Sequence, residues 1–179
     1  MLLSISTICQ AKNNDFRGVK SPTVASATSA AQKHVRNFME GQFNKLERTY
    51  AAQIKLISGH EMLKAKYNLA GEEARKAGVI VNRAKLVEAM KKSFGGRPVV
   101  PVDAIDAVFN AYVFELLETP VGDYATDPPD PVATPDGKIH FSIEPGDLLF
   151  KVGPKKGDFL LFQFRSIAGS WKVVAEYLD

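Results

Sequence analysis

The chain has 179 residues, 45% apolar and 24% charged, with a formal net charge of +3 and a single cysteine, Cys9. That balance suits one globular domain with a core. It excludes an intramolecular disulfide and a cysteine-based metal site, and the scattered basic residues argue against a nucleic-acid-tracking surface.

The chain opens on Met1 to Lys12, an apolar stretch followed by a small-residue position at Ala11. It reads either as a truncated export signal or as an ordinary terminal tail, because the basic start of a secretory leader is missing. The first reading sends the protein to the periplasm or outside the cell, the second leaves it cytoplasmic. No run approaches the ~18 apolar residues of a membrane span. Residues 1–25 lack apolar periodicity and are expected to be a flexible tail, with a single α+β domain over residues 26–179.

From Ala31 the apolar positions Ala31, Val35, Phe38, Met39, Phe43, Leu46 and Tyr50 follow helical spacing, with Gly41 expected to kink or split the helix. Alternation over Gln53 to Ile57 predicts a strand. Ser58 and Glu61 then have capping-box spacing, which predicts a helix starting near Gly59 with Met62, Leu63 and Tyr67 buried. Asn82 is the expected cap of a further helix with Leu86, Val87 and Met90 on one side, stopping at Gly95 and Gly96. The segment Ala104 to Leu117 fits helical spacing in part, but its β-branched and aromatic residues predict a strand from about Val108.

Residues 119–137 are rich in proline and aspartate and read as a long surface loop. Strands are predicted over Lys138 to Ile143 and Leu148 to Val152, with a turn over Glu144 to Asp147. A terminal hairpin comes last: Phe159 to Arg165 and Trp171 to Tyr177 alternate around a turn at Ala168, Gly169 and Ser170. Helices first and strands last is the order of an α+β fold.

That order, the run Asn37 to Leu46 with Thr49, Tyr50 and Ala51, and the ending Gly169 to Glu176 with its Gly-x-Trp turn resemble the nuclear transport factor 2-like superfamily. Leu56 to Leu63 is similar to uncharacterised exported bacterial members of it. The resemblance covers about residues 28–179 and implies N-terminal helices packed on a strongly bent antiparallel sheet, a cystatin-like cone. Its enzymatic members, ketosteroid isomerases and polyketide cyclases, imply a carboxylate base and a tyrosine or second acid inside the cone.

The residues themselves offer little chemistry. His34, His60 and His140 have no metal-ligand spacing, and Lys64 stands where a zincin motif beginning at His60 needs histidine. His140 alternates with Ile139 and Phe141 and is expected on the solvent face. No nucleophile elbow or phosphate loop is present. No cofactor is implied. The carboxylates considered are Glu115, expected on an inward face with Val113 and Leu117, and Glu176, expected to share a face with Lys172 and pair with water.

Three functions fit. The first is a noncatalytic pocket or scaffold domain, its cone lined partly by Phe109, Tyr112, Phe162 and Trp171 and either binding a small apolar ligand or filled by its own side chains. The second is a small lyase or isomerase with Glu115 as base and Tyr50 or Tyr112 as donor; an exposed Glu115 excludes it. The third is an interaction module that homodimerises through the sheet. Phe159 and Leu161 point to one face and Leu160, Phe162 and Phe164 to the other, so both faces need cover, one of them from a partner or the long loop.

Overall fold

A computed structural model describes residues 23–58, 79–126 and 138–178. The expected helix beginning near Gly59, His60 with it, and the N-terminal Met1 to Lys12 lie outside the described residues.

Helix α1 spans Val24–Met39 and starts earlier than the apolar periodicity predicts, because Thr23 builds a capping box. Its hydroxyl accepts from the Ser26 amide at 3.2 Å while Ser26 Oγ accepts from the Thr23 amide at 3.0 Å. Ala27, Ala31, Val35 and Met39 form the buried stripe. Gly41, at φ +66°, splits off the short helix α2, Phe43–Glu47. A Cβ at Gly41 would sit 2.6 Å from the Arg97 carbonyl oxygen, so no other residue fits this crossing. Tyr50, counted in the helical stripe by spacing, instead begins strand β1, Tyr50–Ser58.

Strand β2, Val79–Asn82, leads into α3, Arg83–Phe94, where Asn82 caps the Ala84 amide at 2.9 Å and Gly95 ends the helix at φ +59°. Leu86, Val87 and Met90 are its buried face. The expected strand from Val108 starts four residues later: Ile105–Ala111 is helix α4 and β3 is Tyr112–Leu117. The 3–4 spacing of Ile105, Val108 and Phe109, with Val108 N–H bonded to the Ala104 carbonyl, overrides the strand preference of these side chains. Part of the expected long loop is also strand: β4, Gly122–Thr126, pairs antiparallel with β5, Ile139–Ile143.

β6 (Leu148–Pro154), β7 (Leu160–Ile167) and β8 (Ser170–Leu178) form the antiparallel meander, and the six-stranded sheet runs β2-β1-β8-β7-β6-β3. It is mixed: β1 lies parallel to β8, and the other ladders are antiparallel. One core lies under α1, α2 and α3, and holds Phe150, Phe162, Phe164 and Val173. The second, on the other face, holds Ile57, Leu149, Leu161, Ala175 and Tyr177 under Ile139, Phe141 and Ile143 of β5. The split of Phe159 and Leu161 from Leu160, Phe162 and Phe164 is therefore observed, and β4 with β5 covers the outer face. Each fully buried Phe or Leu in these layers contributes on the order of 1.5–3 kcal/mol of transfer free energy.

No helix among the described residues is long and apolar enough to cross a membrane.

Candidate functional site

The inner face carries a buried polar group that strict alternation along β8 hides. Trp171 and Val173 pack on the helix-covered core, so alternation would send Ala175 and Tyr177 the same way and Glu176 outwards. The pairing shows why it does not: Gln163 faces Ala175 and Phe164 faces Val173, so Val174 is an extra residue on β8. This bulge reverses the parity of the strand beyond it. Ala175 and Tyr177 turn to the outer core, and Glu176 turns into the cone.

Glu176 is 0% exposed. Its Oε2 accepts the Tyr50 hydroxyl at 2.8 Å, and its Oε1 has no hydrogen-bond partner among the described residues. Burial pushes the carboxyl from 4.5 up to about 7, and the Tyr50 hydrogen bond recovers only part of that. Tyr50 reaches it because β1 runs parallel to β8, with Tyr50 opposite Val173 and a register break before Lys55.

His34 of α1 completes the polar set. It is buried, its ring edge-on to Tyr50 and tilted against Phe162, each at 4.9 Å between centroids. Burial lowers its pKa from 6.5 to about 3, so the ring is neutral. Its Nδ1 lies 2.7 Å from Thr49 Oγ1, and the Thr49 hydroxyl donates its single proton to the Leu46 carbonyl. Thr49 therefore accepts from Nδ1–H, which leaves His34 Nε2 an unprotonated acceptor. His34, Tyr50 and Glu176 line one cavity of ≈ 20 Å³ with Val35, Phe38, Met90, Leu160 and Phe162. That is about the room of one water.

The residues expected at the site from sequence are scattered by the fold. Glu115 is exposed on the outer face, between the exposed Val113 and the half-buried Leu117 and paired in register with Lys151. It cannot meet Tyr50 or Tyr112 in a closed pocket, because Tyr112, Phe114 and Leu116 are the β3 residues that pack inward. Tyr112 is half-buried at the start of β3, opposite Pro154. Phe109 packs against Phe114 and under the Arg36 guanidinium, 5.3 Å from its ring centroid. Trp171 lies at the rim, its Nε1 donating to Ser26 Oγ at 2.9 Å. Of the four aromatic candidates, Phe162 lines the Glu176 cavity.

Sequence reasoning passes over His34. Its place in the helical stripe, one residue before Val35, is the available signal. His140 lies between the buried Ile139 and Phe141, its Nδ1 2.6 Å from an Asp123 carboxylate oxygen on β4. Among the described residues no three His, Cys, Asp or Glu side chains gather to hold a metal ion.

No protein-family model and no curated protein matches the sequence. Among solved structures the chain is similar to a nuclear transport factor 2-like protein of unknown function from Silicibacter pomeroyi DSS-3, at 11% identity and a TM-score of 0.45 over 86% of this chain and 92% of that one. It is similar to another such protein of unknown function from Shewanella baltica OS155, at 9% identity and a TM-score of 0.43 over 86% and 89%. A ketosteroid isomerase-like protein from Erwinia carotovora atroseptica is similar at 13% identity and a TM-score of 0.39 over 86% and 92%. A domain of unknown function with a cystatin-like fold from Nostoc punctiforme PCC 73102 is similar at 11% identity and a TM-score of 0.38 over 87% of this chain and 76% of that one.

Proposed function

We propose that the chain is a noncatalytic pocket domain whose cone takes a small, largely apolar molecule bearing a hydrogen-bond donor. The observation that carries this reading is Glu176 Oε1, fully buried, unpartnered among the described residues and on the wall of an otherwise apolar cavity. Above about pH 7, where the carboxyl is ionised, Oε1 is a buried acceptor without a donor, which costs about 1–3 kcal/mol that an occupant with an O–H or N–H group recovers. His34 Nε2 accepts as well, so the site favours donors and repels carboxylates. Phe38 and Leu160 are the half-buried lining side chains, so an occupant bigger than water has to displace them.

The test is a nuclear magnetic resonance titration at pH 8, where Glu176 is ionised, with cyclohexanol, cyclohexylamine and cyclohexanecarboxylate. The alcohol or amine is expected to shift the resonances of His34, Tyr50 and Glu176, and Glu176→Ala is expected to abolish the effect. Equal binding of the carboxylate, or no response to any of the three, overturns the reading.

One observation favours a second reading, proton-transfer catalysis beside a carbonyl. A carboxyl titrating at about 7 beside a phenol has the properties of a general base with a hydrogen-bond donor, with Glu176 in the role that the sequence suggests for Glu115. Exchange of the α-protons of cyclohexanone in deuterated water checks it. Exchange above the buffer rate that Glu176→Gln removes supports an isomerase or lyase, and a rate unchanged by that substitution excludes one.

A further inference from the structure

The fold gathers four cations that the sequence holds far apart. Lys33 of α1, Lys45 of α2, Arg48 at the end of α2 and Lys172 of β8 line one pocket of ≈ 480 Å³, with Thr49 and Trp171 among its walls. Among the described residues no acidic side chain lines it. Glu40, which caps the end of α1, and Glu47 of α2 are paired elsewhere, with Arg36 at 2.8 Å and Arg83 at 3.9 Å. Lys172 is fixed in place, its ammonium donating to the Arg48 carbonyl.

Like charges drawn together repel one another and raise the local concentration of anions. A single carboxylate would leave most of this charge uncompensated. A phosphate dianion offers more charge and several strong acceptor oxygens to guanidinium and ammonium donors. The Trp171 indole adds an apolar wall for the organic part of such a molecule.

We propose that this pocket is a binding site for a phosphate monoester, held by Lys33, Lys45, Arg48 and Lys172 against Trp171. It is separate from the Glu176 cavity, with which it shares no lining residue.

Trp171 is the only tryptophan of the chain, so its fluorescence reports on this pocket alone. The full chain is titrated with phenyl phosphate, inorganic phosphate and benzoate. A saturable change with both phosphates, weaker with benzoate and reduced by added salt, is the expected result. K45E/R48E is expected to weaken it about tenfold or more. K91E/K92E, charge reversals on α3 where Lys92 pairs with Glu88 and Lys91 with Asn44, is expected to leave it unchanged.

Co-sedimentation with phosphatidylcholine vesicles carrying phosphatidic acid, lost in K45E/R48E, would identify a lipid headgroup as the source of the phosphate. Binding of phenyl phosphate without such sedimentation identifies a free small molecule. The proposal is overturned if no phosphate compound gives a saturable change, if benzoate binds as tightly, or if K91E/K92E loses as much as K45E/R48E. The substituted positions Lys45 and Arg48 lie at the surface, and unchanged circular dichroism confirms that the variants fold.

Discussion

Two buried carboxylates sit on opposite faces of the six-stranded sheet and behave in opposite ways. Asp147, in the turn before β6, meets donors from every side. Arg165 gives it two hydrogen bonds at 2.8 Å, Gln163 Nε2 a third at 2.7 Å and the Glu144 amide a fourth at 2.9 Å. Burial pushes its pKa up, and these donors overcome that and hold it below the ordinary 3.8. Glu176 has the Tyr50 hydroxyl and an Oε1 unpartnered among the described residues, so burial prevails and its pKa rises to about 7. Burial is common to the two; the supply of donors decides which carboxyl is held below its ordinary pKa and which is pushed above it.

Glu176→Gln tests the contrast with the largest expected effect. In the unfolded chain the carboxyl ionises from about pH 4.5, whereas in the fold it stays protonated to about pH 7. Its contribution is therefore fully present below 4.5 and is lost as pH rises through 7. That gap corresponds to about 3 kcal/mol, and Glu176→Gln is expected to be more stable than the parent by about that amount at pH 8 in urea unfolding. Below pH 4.5 the two should unfold alike. His34 works in the other direction, since its folded pKa of about 3 makes stability fall as pH drops below 6.5. Together these two groups predict a plateau between about pH 4.5 and 6.5, where a proton gained on His34 at unfolding offsets one lost from Glu176. In Glu176→Gln the plateau becomes a slope rising with pH. A variant less stable than the parent at pH 8 would mean that Glu176 is paired and not exposed to burial alone.

Asp147→Asn should do the reverse. It removes the charge that Arg165 and Gln163 answer and is expected to lose about 2 kcal/mol at pH 7, read in the same unfolding experiment. Because the Asp147 pKa is held down, its stabilisation is present above about 3.8 and is lost as pH falls below that value, so parent and variant should converge in acid. A stability difference that persists at the lowest pH would show that shape, not charge, is what Asp147 supplies.

The sequence makes the strands and their faces visible where local rules act alone. Gly169 at φ +75° and Gly95 at φ +59° end elements where glycine is expected to, and the alternation from Phe159 to Phe164 sorts correctly between the two cores. It conceals whatever depends on a partner strand. Gly122–Thr126 becomes a strand by pairing Tyr124 with Phe141, while a short run beside prolines carries no alternation of its own strong enough to announce it. Glu176 is hidden by the bulge at Val174, a feature set by register against β7. The cationic pocket likewise joins residues up to 139 positions apart, Lys33 and Lys172, and no local reading of charge could assemble it.

A smaller effect comes from the one donor that Glu176 has among the described residues. Tyr50→Phe removes it and should cost about 1 kcal/mol while moving the Glu176 titration still further above neutrality, measured by carboxyl carbon chemical shift against pH. A titration that stays near 7 would show that the phenol is a neighbour and not a regulator of the carboxyl.

The smallest effect belongs to Glu115, and its smallness is informative. The side chain is exposed on the outer face of β3, opposite Lys151 across the ladder, and Lys151 itself lies over the Phe159 ring at 4.7 Å from its centroid. An exposed cross-strand pair of this kind contributes little, because water screens the charges and the side chains lose freedom to meet. Glu115→Gln is expected to change stability by no more than about 0.5 kcal/mol and to leave the cyclohexanol titration untouched. A loss of the cyclohexanol response in Glu115→Gln would mean that the outer face, not the cone around Glu176, is where the alcohol binds.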